Sequence, residues 1–261
     1  MKSASNSPPG SERSSHPDTL AAGRIELPVA MLPQPDDTTC GPTCLHAVYG
    51  YYGMHFDLKQ VIQDVAVLEQ GGTLAVMLGI DALKRGMRAH IYTYNLRIFD
   101  PSWSKLSRAA LMDKLHSQLE FKTSAKVDAA SKAYIDFLDR GGEIRFAELN
   151  PALLRSYLRK RIPILTGLSA TYLYNCMREY TGPNNQSVFD DLRGEPEGHF
   201  VVLAGLDEQL KQVIVADPYK ENPISGDHYY RVDIRRLVHS ILLGILTYDA
   251  NLLVLQPHTE K

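Results

Sequence analysis

The sequence predicts an α+β fold, in which a helical half is followed by an antiparallel sheet half. Residues 40–84 contain three stretches with helical periodicity before any clear strand, whereas residues 199–216 contain two β-branched runs joined by a short polar turn. Between these regions, residues from about 100 to 148 carry two further helical patterns. We interpret this segment as a helical insertion into the fold.

The first predicted helix begins at Cys40. Residues 35–39, PDDTT, have no apolar period, whereas apolar residues recur at spacings of three and four from Leu45 to Tyr52. A cysteine in a first helical turn lies near unpaired backbone N–H groups and the positive end of the helix dipole, which stabilise a thiolate relative to a thiol. Cys40 is therefore the candidate nucleophile.

Capping residues and periodicity predict the other elements. In chain order these are a docking segment or short strand at 24–32, helices at 57–68 (capped by Asp57) and 73–84 (capped by Thr73), a strand at 88–94, helices at 104–121 and 126–139, a short strand at 144–146, a helix at 151–161 (capped by Asn150), strands at 163–168, 199–206 and 212–216, a helix at 233–243 (capped by Asp233) and a strand at 251–255. Residues 169–198 are interpreted as a long polar loop, and loops of that length are usually functional or mobile.

Composition excludes several classes of protein. The net charge of −2 gives no basic surface for nucleic acid, so no nucleic-acid partner is expected. No window approaches 18 consecutive apolar residues, and the first residues lack the apolar core of a secretory signal. Three cysteines, two of them four positions apart, make a poor disulfide framework. We therefore expect a cytoplasmic protein without a membrane span, and no pattern indicates its oligomeric state.

The chain is expected to contain one folded domain. Residues 1–22 are rich in Ser, Pro, Gly and Asn, and such a segment buries too little apolar area to offset the entropy of ordering. We interpret them as a disordered tail and residues 23–261 as a single domain.

The residues around Cys40 and the later hairpin can supply each part of a thiol catalyst. A cysteine nucleophile needs a base, a group that orients the base, and donors for the oxyanion. His199 begins one strand of the predicted hairpin and Asp217 follows its partner strand, so the two are close to being cross-strand neighbours. Gln34, six positions before Cys40, can place its amide N–H beside the Cys40 backbone N–H.

Three motifs resemble those of one enzyme family. QPDDTTCGPTC at 34–44, GHFVVLAG at 198–205 and ADPY at 216–219 are similar to the motifs of C39-type cysteine peptidases, within the papain-like clan. The resemblance implies a papain-like cysteine peptidase fold for residues 23–261. It implies Gln34 as the oxyanion glutamine, Cys40 as the nucleophile, His199 as the general base and acid, and Asp217 as the orienting carboxylate. No cofactor or metal is implied, and the partner is a peptide or protein substrate.

The family is best known as the N-terminal domain of bacteriocin-exporting transporters, where it cleaves leader peptides after a double glycine. This chain has neither a membrane span nor a nucleotide-binding G-x-x-x-x-G-K motif, so we do not expect it to be such a transporter. It also carries the additional helices of the insertion and the long loop before His199. These departures leave its substrate sequence open.

Three alternatives to peptide hydrolysis remain. The same acyl-enzyme can be captured by an amine or thiol, as in the transglutaminase-like or phytochelatin-synthase-like relatives, which would make the protein an acyltransferase. A non-catalytic peptide-binding module would keep the fold. A zinc site at Cys40, Cys44 and His46 is disfavoured, because His46 points about 200° away from Cys44 around the helix.

Overall fold

An eight-stranded β-sheet runs through the part of the chain that the computed structural model describes, residues 23–68, 71–183 and 187–258. The predicted tail at 1–22 lies outside these residues. The strands are β1 (Arg24–Glu26), β2 (Met87–Thr93), β3 (Glu143–Arg145), β4 (Ile164–Ser169), β5 (Glu179–Thr181), β6 (Ser187–Phe189), β7 (Gly198–Asp207), β8 (Gln212–Ala216), β9 (Tyr229–Asp233) and β10 (Asn251–Pro257). The helices are α1 (Cys40–Tyr51), α2 (Leu58–Asp64), α3 (Ala75–Lys84), α4 (Arg108–Gln118), α5 (Ala125–Asp139), α6 (Pro151–Leu158), α7 (Ala170–Tyr174) and α8 (Ile234–Leu243), with 3₁₀ turns at Pro101–Lys105 and Gly244–Thr247.

The strand order of the large sheet is β3-β2-β10-β4-β7-β8-β9, and β1 pairs with β7 as well. Every pair is antiparallel except β2 with β3. The α+β class predicted from the sequence is therefore confirmed. The sheet is not confined to the second half of the chain. Three of its strands, β1, β2 and β3, come from the first half and from the segment predicted as an insertion.

Helices cover the centre of the sheet on both faces. In β7, eight consecutive residues from His199 to Leu206 are buried, and successive side chains of a strand point to opposite faces. Both α1 and α6 pack against β7, and α8 packs against β4. The centre of the sheet, where β4, β7 and β8 lie side by side, is thus buried. It positions His199, which lies in β7, and Asp217, which follows β8.

Three of the four predicted helix caps are present. Asp57, Asn150 and Asp233 each accept backbone N–H groups at the start of α2, α6 and α8. The prediction for Thr73 was wrong: α3 begins at Ala75, and the Thr73 hydroxyl donates to the Ala66 carbonyl instead.

Some element boundaries differ from those predicted. The α2 helix ends at 64 rather than 68, and α4 covers only 108–118 after the 3₁₀ turn at 101–105. In the segment predicted as a long loop, 169–198, the described residues include α7 and the two-stranded sheet of β5 and β6. The prediction missed β9, which pairs with β8. The insertion consists of the 3₁₀ turn, α4, α5 and β3, and α5 packs against α3.

Candidate active site

Cys40 is the first residue of α1 and is buried. The turn before it is held by local hydrogen bonds around Asp36, whose carboxylate accepts the backbone N–H and the hydroxyl of Thr38. The Thr39 hydroxyl donates to the Asp36 carbonyl, and no side chain caps the helix. The backbone N–H groups in the first turn of α1 therefore have no side-chain cap, and they lie at the same end of the helix as Cys40.

The start of α1 lies directly on β7. A Cβ on Gly41 would be 2.6 Å from the Thr73 methyl group and 3.2 Å from the Phe200 ring, so only glycine permits this approach. One turn later, the Cys44 thiol donates to the Phe200 carbonyl at 3.2 Å. Both contacts involve Phe200, the neighbour of His199 in the strand. The packing of α1 on β7 therefore fixes Cys40 relative to His199.

His199 and Asp217 come together as the hairpin register predicted. His199 pairs with Leu168 across the β4–β7 ladder, and Asp217 follows Ala216, the last residue of β8. The His199 Nε2 donates to the Asp217 Oδ1 at 2.7 Å, and the His199 ring also hydrogen-bonds the Cys40 side chain. Because Nε2 is used by Asp217, Nδ1 is the ring nitrogen that faces the thiol.

Electrostatic interactions favour a charged imidazole at this position. Burial lowers the pKa of His199, but the Asp217 carboxylate and the Cys40 side chain outweigh burial, so the pKa of His199 is raised above its usual value. Burial raises the pKa of Asp217, but the contacts with His199 and two tyrosine hydroxyls outweigh it, and the pKa of Asp217 is lowered. These two shifts favour an imidazolium paired with the Asp217 carboxylate.

Sequence reasoning missed three further contacts of the Asp217 carboxylate. The hydroxyls of Tyr174 and Tyr230 donate to its Oδ2 at 2.7 and 2.6 Å, and the Tyr219 backbone N–H donates to its Oδ1 at 2.9 Å. An Asp that accepts an N–H two residues later is a common turn, and ADPY contains that signal. The tyrosines left no comparable signal, because Tyr174 lies in the predicted loop and Tyr230 in the unpredicted strand.

Gln34 lies at the edge of this group. Its backbone N–H donates to the Pro218 carbonyl at 3.0 Å, which brings residue 34 beside the segment that follows Asp217. Its side-chain Nε2 donates to the Asp36 carbonyl at 3.0 Å, while the buried Oε1 has no partner among the described residues. Since an amide nitrogen carries two hydrogens, one N–H of Nε2 remains after the bond to Asp36.

Acidic residues lie near one another beside this group. Burial together with the charges of Glu179 and Asp37 raises the pKa of Glu197 to about 7, although Lys126 partly offsets them. Tyr219 is 38% exposed, and its ring centroid lies 6.5 Å from that of His199. Burial and the charges of nearby carboxylates, among them Glu179 and Asp37, also raise the pKa of Tyr219, so a partly exposed aromatic ring and several carboxylates lie close to His199.

Cys44 and His46, two of the three residues of the disfavoured zinc site, have other partners. Cys44 donates to a backbone carbonyl, and the His46 Nε2 bonds the Phe56 carbonyl at 3.0 Å. Within the described ranges, no group of three or more His, Cys, Asp or Glu side chains is arranged to hold a metal ion. None of the helices in the same ranges has the length and apolar content needed to cross a bilayer.

Several solved structures resemble the chain at low sequence identity, and three of them are described here. A double glycine motif protease from an AMS/PCAT transporter, in complex with the leader peptide, is 17% identical, with 91% of this chain and 96% of that chain covered and a TM-score of 0.41. The peptidase domain of Streptococcus ComA, a bi-functional ABC transporter involved in a quorum sensing pathway, is 14% identical, with 88% and 99% covered and a TM-score of 0.40. Xylellain, a cysteine protease from Xylella fastidiosa, is 14% identical, with 91% and 87% covered and a TM-score of 0.42.

The family of the chain is identified by a match to a family model. No curated protein sequence matches the chain significantly. The model described as the Peptidase_C39 like family matches residues 26–238, which include the helix of Cys40 and the hairpin of His199. The chain therefore belongs to the Peptidase_C39 like family, and it is a cysteine peptidase with the α+β fold that the sequence predicted.

Proposed function

We propose that this peptidase hydrolyses peptide bonds with Cys40 as the nucleophile, His199 as the general base and acid, and Asp217 as the carboxylate that orients the imidazole. The observation that carries the proposal is the position of the His199 ring, which hydrogen-bonds Cys40 and Asp217 at the same time. A base held between the nucleophile and an orienting group is the arrangement that thiol catalysis requires.

The reaction would proceed in two stages. The Cys40 thiolate adds to the peptide carbonyl carbon and forms a tetrahedral oxyanion. This intermediate collapses as the C–N bond breaks, and the His199 Nδ1–H protonates the leaving amine. His199 then takes a proton from a water molecule, whose oxygen attacks the thioester. The carboxylic acid product leaves, and the thiolate–imidazolium pair is restored.

Two donors are proposed for the oxyanion. The backbone N–H of Cys40 lies at the first position of α1, where helical N–H groups have no partner within the helix. The second donor is the N–H of Gln34 Nε2 that the Asp36 carbonyl does not use. The bond from the Gln34 backbone to Pro218 supports this role, because it holds residue 34 beside the Asp217 segment.

The proposal extends to the substrate, the domain and the compartment. The substrate is a peptide or protein, and residues 23–261 act as one domain, since a continuous core joins α1, the insertion and the sheet. We propose the cytoplasm as the compartment, because Cys40, Cys44 and Cys176 are all free and a catalytic thiol has to remain reduced.

The test is the rate of iodoacetamide alkylation at each cysteine as a function of pH, measured by mass spectrometry. Cys44 and Cys176 are internal controls, because burial raises the pKa of both thiols. We expect Cys40 alone to react rapidly well below pH ~8.5, the pKa of a free thiol, and to lose this reactivity in His199→Ala.

A matched variant controls for the loss of a buried imidazole. His90 is also buried, and it bonds the Tyr157 hydroxyl far from the hairpin of His199, so His90→Ala should leave Cys40 reactivity unchanged. If Cys40 reacts as slowly as Cys44 in the folded protein, or if His199→Ala behaves like His90→Ala, then the proposed mechanism is wrong and a peptide-binding module without catalysis is the better description.

A further inference from the structure

The Asp217 carboxylate accepts more hydrogen bonds than its proposed role requires. Orienting His199 needs one bond to Oδ1, but four donors contact the two oxygens: His199 and the Tyr219 backbone at Oδ1, and the hydroxyls of Tyr174 and Tyr230 at Oδ2. The Asp217 side chain is fully buried, with 0% exposure. Oδ2 is therefore held only by phenols among the described residues.

The two phenols come from different parts of the fold. Tyr174 is the last residue of α7, and the chain turns sharply after it, because Asn175 adopts a left-handed conformation with φ 57°. Tyr230 lies in β9, where it pairs with Val215 of β8. The carboxylate at the end of β8 is thus held from a helix on one side and from a neighbouring strand on the other.

We propose that Tyr174 and Tyr230 are positioning residues for the reaction at Cys40. By holding Oδ2, they keep Oδ1 aligned with the His199 Nε2 and keep Asp217 in its anionic form. The charged carboxylate stabilises the imidazolium, and the imidazolium stabilises the Cys40 thiolate. This inference rests on the proposed function, since it assigns the tyrosines a role only through Asp217 and His199.

The physical basis is the cost of a buried charge. A carboxylate removed from water needs hydrogen-bond donors in place of the water it has lost, and bonds to a charged acceptor are the strong ones. Burial and the nearby Asp217 raise the pKa of the Tyr230 phenol, and burial, Tyr230 and Asp217 raise that of Tyr174. The raised pKa values keep both phenols protonated at neutral pH, where they act as donors.

Removing the hydroxyls should change the acid side of the pH profile. Each donor stabilises the charged form of Asp217, so its loss raises the pH at which Asp217 becomes neutral. A neutral Asp217 no longer stabilises the imidazolium, and the thiolate is then lost at a higher pH than in the wild type. The strength of charged hydrogen bonds corresponds to a shift of roughly one pH unit for each hydroxyl removed.

The experiment compares Tyr174→Phe, Tyr230→Phe and the double variant with the wild type, using the pH dependence of Cys40 alkylation by iodoacetamide. Phenylalanine keeps the ring and removes only the hydroxyl, and circular dichroism defines the pH range in which each variant is folded. Tyr92→Phe is the matched control, because Tyr92 is also buried and its hydroxyl bonds that of Tyr157 at 2.8 Å, away from Asp217.

We expect the acid limb of the alkylation profile to move upward by roughly one pH unit in each single variant and further in the double variant, with no movement in Tyr92→Phe. In an Asp217→Asn background, Tyr230→Phe should cause no further change, because the carboxylate through which it acts is gone. A purely structural role would lower the unfolding temperature without moving the limb.

The results separate this inference from the proposed function. If wild-type Cys40 shows rapid alkylation that depends on His199, but the limb stays in place in both single variants, the positioning role is wrong and the mechanism stands. If the shift persists in the Asp217→Asn background, the tyrosines do not act through Asp217 and the inference is overturned. If wild-type Cys40 is inert, the proposed function fails and this inference fails with it. The single variants give the answer even where the double variant does not fold.

Discussion

Cys40 and Cys44 lie one helical turn apart, yet their surroundings assign them different chemistry. The Cys40 side chain contacts the His199 imidazole, whereas the Cys44 thiol is fully buried and donates to the Phe200 carbonyl. Burial, together with the nearby Cys40 and Asp217, raises the pKa of Cys44 well above its usual value. The two thiols of this helix therefore meet different groups of β7, and the proposed mechanism predicts that only Cys40 is reactive.

The contribution of Gln34 can be measured separately from that of His199. Gln34→Ala removes an oxyanion donor but leaves the thiolate–imidazolium pair, so we expect kcat to fall by roughly 10²–10³, about 3–4 kcal/mol, while Cys40 alkylation is unchanged. The measurement is turnover of the most rapidly cleaved member of a fluorogenic peptide library. Gln60→Ala, at an exposed glutamine of α2, is the control.

Other outcomes of the two Gln34→Ala measurements, turnover and Cys40 alkylation, would contradict the oxyanion role. If alkylation of Cys40 slows in parallel with turnover, then Gln34 acts by holding the turn before α1 through its bonds to Asp36 and Pro218. If neither rate changes, Gln34 is not an oxyanion donor.

The candidate site was partly visible in the sequence because some of its signals are local. Cys40 follows a turn and begins a helix, and His199 and Asp217 are 18 positions apart on one hairpin. Tyr174 and Tyr230 were not predicted, because their bonds to Asp217 depend on how α7 and β9 pack and not on the predicted hairpin. No local pattern distinguishes such tyrosines from those of the core.

At the scale of elements, the contact of α1 with β7 controls the position of Cys40. Gly41→Ala would place a Cβ 2.6 Å from the Thr73 methyl group, so the helix or its neighbours have to shift. We expect a loss of about 1–3 kcal/mol in the free energy of unfolding, together with slower alkylation of Cys40. Chemical denaturation and the alkylation assay measure the two effects.

The same helix supplies the control for Gly41→Ala. A Cβ on Gly50 would meet nothing within 4 Å, so Gly50→Ala relieves only the backbone entropy of glycine and should stabilise the protein by about 0.5–1 kcal/mol. Equal effects of the two substitutions would show that the close approach at Gly41 does not determine the position of α1.

Helix caps show where element prediction succeeds and where it fails. Asp57, Asn150 and Asp233 cap their helices with N–H groups two or three residues away, which a short stretch of sequence reveals. At α3 the Ala75 N–H is instead bonded by Asp249, 174 positions later, at 3.3 Å. The polar residue next to the helix, Thr73, was therefore the wrong choice.

At the scale of the whole molecule, the strand order could not be predicted. The hairpin of β7 and β8 joins neighbouring segments, but β2 pairs with β10, which lies near the end of the described residues, and β3 pairs with β2 in parallel. Pairings between distant segments are selected by packing of the complete core and leave no local pattern. The sequence therefore predicted the class of the fold but not its topology.

Asp249 links the stability of the whole molecule to pH. It is buried where α3 meets the sheet, and burial raises its pKa to about 7, although the Ala75 N–H and Lys126 partly oppose this. Between pH ~4 and ~7 the folded state thus binds a proton that the unfolded state has lost. Stability should fall as the pH rises through this window, by up to about 4 kcal/mol in total.

Asp249→Asn removes this titration, so its free energy of unfolding should lose the decline between pH ~4 and ~7 that the wild type shows. Asp233→Asn is the contrasting control, because contacts with Arg235 lower the pKa of Asp233 and its contribution to stability grows with pH. Urea denaturation across the pH range measures both variants. A wild-type profile with the same slope as Asp249→Asn would contradict the raised pKa of Asp249.

The distance along the chain between the two halves of the active site has a consequence for synthesis. The His199–Asp217 pair forms within one hairpin, but the contact that brings the helix of Cys40 to this hairpin, from Cys44 to Phe200, spans 156 positions. On the ribosome the proposed nucleophile is made first, and under the proposed mechanism it stays unactivated until the hairpin that carries His199 has emerged and docked. Activation of the thiol would therefore be delayed until the two segments have folded together.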